Sequence, residues 1–173
     1  PKPFKRSTVA ELFRAYAGEE EEKLVREQNW TALAKKYGHA GEGGLTYKIF
    51  DHLFDEKFAP HLKEPTFVTE FPADFSPLAK CGEGSQNAAE RFELYVNGQE
   101  IANAYSELND PVQQRERLEK YRRSRKETSE KEEGEGMGFD ESFLTALEYG
   151  MPPAGGLGIG VDRLVMFLTG QDS

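Results

Sequence analysis

Residues 90–110, ERFELYVNGQEIANAYSELND, decide the reading of this chain. Alternation over the first half puts Phe92, Leu94 and Val96 on one side of a strand and Glu93, Tyr95 and Asn97 on the other. Asn97-Gly98 is the strongest short hairpin signal, because a type I′ turn needs positive φ at both central residues. On the return strand Asn103, Tyr105 and Glu107 fall at period two and so share a face. Glu93 and Glu100 flank the turn, where a twist or bulge would bring both carboxylates to one cation. Hard oxygen donors on adjacent strands suit Mg²⁺, which takes one or two carboxylates together with substrate phosphates. The competing reading is a solvated polar sheet face that carries no site.

With 173 residues and 37% hydrophobic content, the chain is long enough for one domain with a real core and short for two. A formal net charge of −9 argues against a stand-alone grip on nucleic acid, which needs clustered Lys and Arg. The lone Cys81 has no partner for an internal disulfide, so a reducing cytoplasm is the expected compartment. In its glycine-rich loop it also lacks a histidine to activate it, and a plain free thiol is the expected state. No signal peptide and no apolar run of membrane-spanning length is present, so no membrane contact is expected.

Before the hairpin the chain reads as helical. Pro1 to Arg6 is an extended lead-in, and Ser7 or Thr8 caps a helix to about Ala17 with Val9, Leu12, Phe13 and Tyr16 on one stripe. A second helical stretch runs from Glu19 to Tyr37, acidic at its start as the helix dipole favours. A glycine-rich joint around His39 leads to a third helix from Leu45 to Phe58, whose aromatic stripe reads as core, and Pro60 stops it. Pro65 to Phe71 has the β-branched and aromatic make-up of a strand, followed by the loop DFSPLAK at 74–80.

After the hairpin, Asn109-Asp110-Pro111 opens a helix to about Lys126 that ends in the basic residues Lys120, Arg122, Arg123, Arg125 and Lys126. That patch reads as an RNA contact or, more simply, as a solvated helix face, and Glu127 to Gly138 reverses its sign with a run of disordered composition. Asp140 caps a helix from Glu141 to Tyr149. Then comes GGLGIG at 155–160, whose glycines 156, 158 and 160 alternate with Leu157, Ile159 and Val161. One face of that strand has no side chains, so a flat ligand or another backbone can approach it closely. Arg163 follows at the opening of a helix, where a fixed guanidinium suits a planar base and its phosphates.

GGLGIGVDRLVMFLT resembles motif 3 of the class II aminoacyl-tRNA synthetases, and ERFELYVNGQEIANAYSELNDPVQQRER resembles the lysyl-tRNA synthetase form of the preceding strands. PTFVTEFPADFSPLAK and FLTALEYGMPPAGGLGIG are similar to the same family. The resemblance covers roughly Leu62 to Thr169, with the first sixty residues matching only loosely. It implies an α+β fold, an antiparallel β-sheet flanked by helices. It implies a single partial catalytic domain over 1–173, with 1–60 mostly helical, a sheet core at 62–173 and motif 3 at 155–169. The activity implied is ATP-dependent conversion of lysine to lysyl-adenylate and transfer to tRNA(Lys), in a parent protein that is a homodimer.

By the same resemblance, Glu93 and Glu100 match the carboxylates that hold Mg²⁺ on ATP. Asn103, Tyr105, Glu107 and Gly158 match the lysine pocket, and Arg163 matches the motif 3 arginine on ATP. No counterpart of motif 1, of motif 2 or of the anticodon-binding domain is found, so the chain is expected to be a piece of a catalytic domain with little activity alone. Three rivals stand beside this reading. They are a synthetase-like lysine ligase acting on elongation factor P, an aspartyl- or asparaginyl-type relative, and a non-catalytic synthetase-like binding module. Tyr105 and Glu107 speak against an acidic substrate.

Overall fold

The computed structural model of the chain describes residues 3–38, 47–85, 87–127 and 140–171. The expected joint around His39 and the acidic run at 128–138 lie outside the described residues. A five-stranded sheet in the order β1-β2-β3-β4-β5 is built from Lys5–Thr8, Thr66–Thr69, Arg91–Val96, Gln99–Ser106 and Gly155–Ile159. The sheet is mixed, because β1 pairs parallel with β2 while every later pairing is antiparallel. Sequence alone reads β1 as an extended lead-in. Four residues with no alternation carry no strand signal until β2 arrives, more than fifty residues later, to pair with them.

Between β1 and β2 run four helices, α1 (Val9–Tyr16), α2 (Glu19–Arg26), α3 (Trp30–Lys36) and α4 (Tyr47–Lys57). Thr8 closes α1 with a capping box, its hydroxyl accepting from the Glu11 amide while the Glu11 carboxylate accepts from the Thr8 amide. The single helix expected over Glu19–Tyr37 is two, because Gln28 turns to φ 54° and Asn29 caps α3 by accepting from the Ala32 amide. The four helices and Phe58 just after them lay Phe13, Val25, Leu33, Phe50, Phe54 and Phe58 in one cluster with Val68 and Tyr95 of the sheet. Phe13 and Phe58 have ring centroids 4.5 Å apart, and Phe54 lies 5.5 Å from Tyr95.

After the hairpin come α5 (Pro111–Glu127), α6 (Glu141–Glu148) and α7 (Val161–Thr169). Asp110 caps α5 by accepting from the Val112 and Gln113 amides, and Asp140 caps α6 by accepting from the Phe143 amide. In the basic stretch of α5, Lys120 pairs with Asp74 at 2.5 Å, whereas Arg122 is exposed. The outer strand β5 and helix α7 leave Leu157, Val161, Val165 and Leu168 more than half exposed.

The hairpin turn is as expected, with Asn97 at φ 51° and Gly98 at φ 80°. It is also docked. The amides of Asn97 and Gly98 donate to the carbonyls of Lys63 and Leu62, and a Cβ on Gly98 would lie 3.2 Å from the Ala59 carbonyl oxygen. Gly84 has a similar φ, 77°, with nothing within 4 Å of such a Cβ. Urea unfolding should therefore separate the two. Gly84→Ala is expected to cost about 1 kcal/mol from backbone strain alone, and Gly98→Ala at least about 2 kcal/mol from strain plus contact. Equal costs would contradict the docking of the turn.

Candidate active site

The register of β3, β4 and β5 assembles the site. Arg91 faces Tyr105, which faces Gly156; Glu93 faces Asn103, which faces Gly158. Past Leu94 the pairing slips, so that Tyr95 faces Glu100 and Ile101 has no partner on β3. One extra residue on β4 moves Glu100 to the face of Glu93, Asn103 and Tyr105, which strict alternation would deny it. The bare edge made by Gly156 and Gly158 runs along the same rows.

On β3 this face is not the solvated one, whereas on β4 Glu100, Asn103 and Tyr105 are only half-buried. Glu93 and Tyr95 are only 5% and 3% exposed, because the helical layer covers them, while Phe92 and Leu94 on the other face are half-buried. A buried carboxylate must be hydrogen-bonded, and Glu93 is. Its Oε2 accepts from the Tyr95 hydroxyl at 2.8 Å and its Oε1 accepts from Nη2 of Arg91. Burial nonetheless pushes Glu93 up to about 7, against the downward pull of Arg91 and with a further push from Glu100. Glu100, half-buried, is also raised by burial, with Arg163 and Arg91 opposing. Asp51 of α4 is raised by burial and by Asp55, and it adds negative potential at both Glu93 and Glu100.

Arg163 opens α7 beside this group. Its Nη1 donates to the Glu100 carbonyl oxygen at 2.8 Å and lies 3.9 Å from Glu100 Oε2. Arg163 thus lies beside Glu100, which shares a face of the sheet with Glu93. Among the described residues no group of three or more His, Cys, Asp or Glu could hold a metal ion by itself. Two carboxylates that burial raises, one of them pushed further by the other, are still a donor set that a dication relieves, and Mg²⁺ draws its other ligands from water and phosphate.

The neighbouring hollow, of about 190 Å³, is lined by Asn103 and Tyr105 together with Arg91, Ser76, Leu78 and Tyr121. Glu107 does not line it. That residue follows the last residue of β4, where its amide donates to the Ala154 carbonyl and its Oε1 fills the space that a Cβ on Gly156 would take. Burial and the nearby Glu107 both raise Tyr105. Arg91, Ser76 and Tyr121 went unread in the sequence. Arg91 had a usable signal, since it shares parity with Glu93 and Tyr95 on β3; Ser76 and Tyr121 arrive from a loop and from α5 by tertiary packing alone.

Proton counting gives the pH dependence of this arrangement its sign. Between the ordinary value of 4.5 and about 7 the folded chain holds a proton on Glu93 that the unfolded chain has lost. The stabilisation is fully present below that window and is lost as pH rises through about 7. Urea unfolding from pH 4.5 to 8 should show falling stability, and Glu93→Gln should remove on the order of 3 kcal/mol of the fall. Equal slopes in the two proteins would refute the burial of an ionisable Glu93.

Comparison with known proteins covers the whole chain. The family model described as tRNA synthetases class II (D, K and N) matches residues 1–173. The lysine–tRNA ligase of Porphyromonas gingivalis strain W83 is 44% identical over 176 residues, covering 99% of this chain and 29% of that protein. That of Trichormus variabilis is 44% identical over 175 residues, covering 99% of this chain and 30% of that protein. That of Carboxydothermus hydrogenoformans is 50% identical over 143 residues, covering 82% and 28%. The chain therefore spans less than a third of the length of these relatives. The similarity takes in the first sixty residues as well, beyond the motif-bearing part from Leu62 onward. With a match along its whole length and a sheet whose last strand and helix carry the glycine-arginine motif, the chain belongs to the class II tRNA synthetases (D, K and N).

Proposed function

We propose that this chain is part of a lysine–tRNA ligase. In its full-length protein it contributes to the ATP-dependent activation of lysine to lysyl-adenylate and to transfer of the lysyl group to tRNA(Lys). The observation that carries the reading is the shared face of Glu93, Glu100, Asn103 and Tyr105, with the Arg163 guanidinium beside Glu100. Two substrates of opposite charge need such a face. A cationic amino acid calls for a carboxylate, and a triphosphate calls for a guanidinium and a metal.

In this reading Glu107 answers the ε-ammonium of lysine, the Tyr105 ring packs on its methylene stem, and Asn103 with the backbone at Gly158 holds the remaining polar atoms. Arg163 offsets charge on ATP, and Glu93 and Glu100 hold Mg²⁺. Bound there, Mg²⁺ neutralises phosphate charge and fixes the phosphate chain. A lysine carboxylate oxygen attacks the α-phosphorus in line, the bond to the bridging oxygen breaks, and pyrophosphate leaves. The protein acts by positioning and electrostatics, with no covalent intermediate on a side chain. The single cysteine fits a parent that works in a reducing, cytoplasmic compartment, and a homodimeric parent is proposed on the family resemblance alone.

The test is lysine-dependent ATP–pyrophosphate exchange and tRNA(Lys) charging by the full-length protein, both of which are expected, with little exchange by the isolated chain. Charging of elongation factor P in place of tRNA would move the reading to its closest rival, and absence of lysine-dependent exchange would end it. The glycine strand supplies a finer check. Gly156→Ala displaces the Glu107 carboxylate, whereas a Cβ on Gly155 makes only ordinary contact, 3.7 Å from the Tyr105 carbonyl oxygen. Gly156→Ala is expected to raise the KM for lysine about tenfold, or roughly 1.4 kcal/mol, and Gly155→Ala to leave it within about twofold. Equal effects would detach Glu107 from lysine.

A further inference from the structure

Arg91 makes more contacts inside the site than any role so far given to it requires. Its side chain is 9% exposed, and all three nitrogens of the guanidinium are engaged. Nε donates to Asn103 Oδ1 at 3.2 Å, and Nη1 donates to Ser76 Oγ at 3.1 Å and to the Phe75 carbonyl oxygen at 3.4 Å. Nη2 donates to Glu93 Oε1. The guanidinium carbon lies 4.6 Å from the centroid of the Phe71 ring, which fixes the plane from one side. A planar fork cannot turn toward one partner without turning away from the others.

From these contacts we infer that Arg91 is a positioning residue that couples the two halves of the site, tying Glu93 on the metal side to Asn103 on the amino-acid side and both to the 75–76 loop. The inference rests on the proposed lysine and Mg²⁺ roles of those residues. A guanidinium kept only to neutralise Glu93 needs one partner, and a lysine would serve. Here the partners come from β3, β4 and a loop, and two of them stand opposite each other across the β3–β4 pair. Whatever engages Asn103 sets the angle of the fork, and the angle of the fork sets Oε1 of Glu93. The same side chain walls the hollow beside Tyr105, so it also limits how the amino acid enters.

The test uses the full-length protein with Arg91→Met, Arg91→Lys and Ser76→Ala. Three quantities are read: thermal midpoint, lysine Kd by calorimetry without ATP or Mg²⁺, and the Mg²⁺ concentration that half-saturates pyrophosphate exchange. Lysine at position 91 restores the charge but not the fork. Arg91→Lys should therefore recover most of the thermal stability lost in Arg91→Met, yet bind lysine about tenfold more weakly than wild type and need about tenfold more Mg²⁺. Ser76→Ala, which removes the shorter of the two contacts of Nη1 and leaves the one to the Phe75 carbonyl, should weaken lysine binding about threefold with an unchanged midpoint. Recovery of lysine affinity and Mg²⁺ requirement to within twofold by Arg91→Lys overturns the inference. If neither Arg91 variant folds, Ser76→Ala decides, and unchanged lysine affinity there overturns it. Wild-type protein that binds no lysine overturns the functional reading itself, and this inference with it.

Discussion

A single unpaired residue, Ile101, sets the chemistry of the whole sheet. Without it Glu100 would lie on the face of Ala102 and Ala104, away from Glu93 and from Arg163. With it, an acidic pair, an amide and an aromatic ring share one face of β3 and β4, with the Arg163 guanidinium of α7 beside Glu100. The bulge is held from both sides. Ile101 is itself buried, and the turn beyond it is pinned by backbone hydrogen bonds to Leu62 and Lys63. A slip of register would have to break those bonds and expose Ile101, which is why the arrangement is single-valued.

The same face serves the core and the candidate site, and this explains its electrostatics. Tyr95 packs on Phe54 while its hydroxyl donates to Glu93, so one side chain is both part of the apolar cluster and a partner of a carboxylate. Charges placed there lose their water, and among the described residues the fork of Arg91 and the Tyr95 hydroxyl compensate Glu93. Removing one partner of such a pair typically costs 3–5 kcal/mol, roughly, whereas an exposed pair such as Lys5–Glu64 is worth little. The stability of the fold and the readiness of the site for a cation therefore pull in opposite directions at Glu93.

Much of this was legible in the sequence wherever the signal was local. The Asn-Gly turn, the caps at Thr8, Asp110 and Asp140 and the bare glycine face could each be read within a few residues. The possibility of a bulge beside the turn was also local, although its place at Ile101 was not. What escaped depended on distant chain. β1 has no pattern of its own and exists because β2 pairs with it. The break at Gln28 needed a positive φ at a residue type that seldom takes one, and apolar periodicity ran through it unmarked. Composition alone also left open whether the polar rows of β3 were solvated, and the helical layer that buries Glu93 and Tyr95 comes from distant chain. Arg91 went unread because its partners Ser76 and Asn103 come from a loop and another strand.

The account comes down to whether Glu93 and Glu100 serve one ion. A crystal structure of the full-length protein with lysine, an unreactive ATP analogue and Mn²⁺, located by its anomalous signal, would settle this directly. The account expects the metal between these two carboxylates, about 2.1 Å from an oxygen of each as hard divalent ions of this size require, with Arg163 on the nucleotide. A metal bound elsewhere, or Glu100 turned to the face of Ala102, would contradict it.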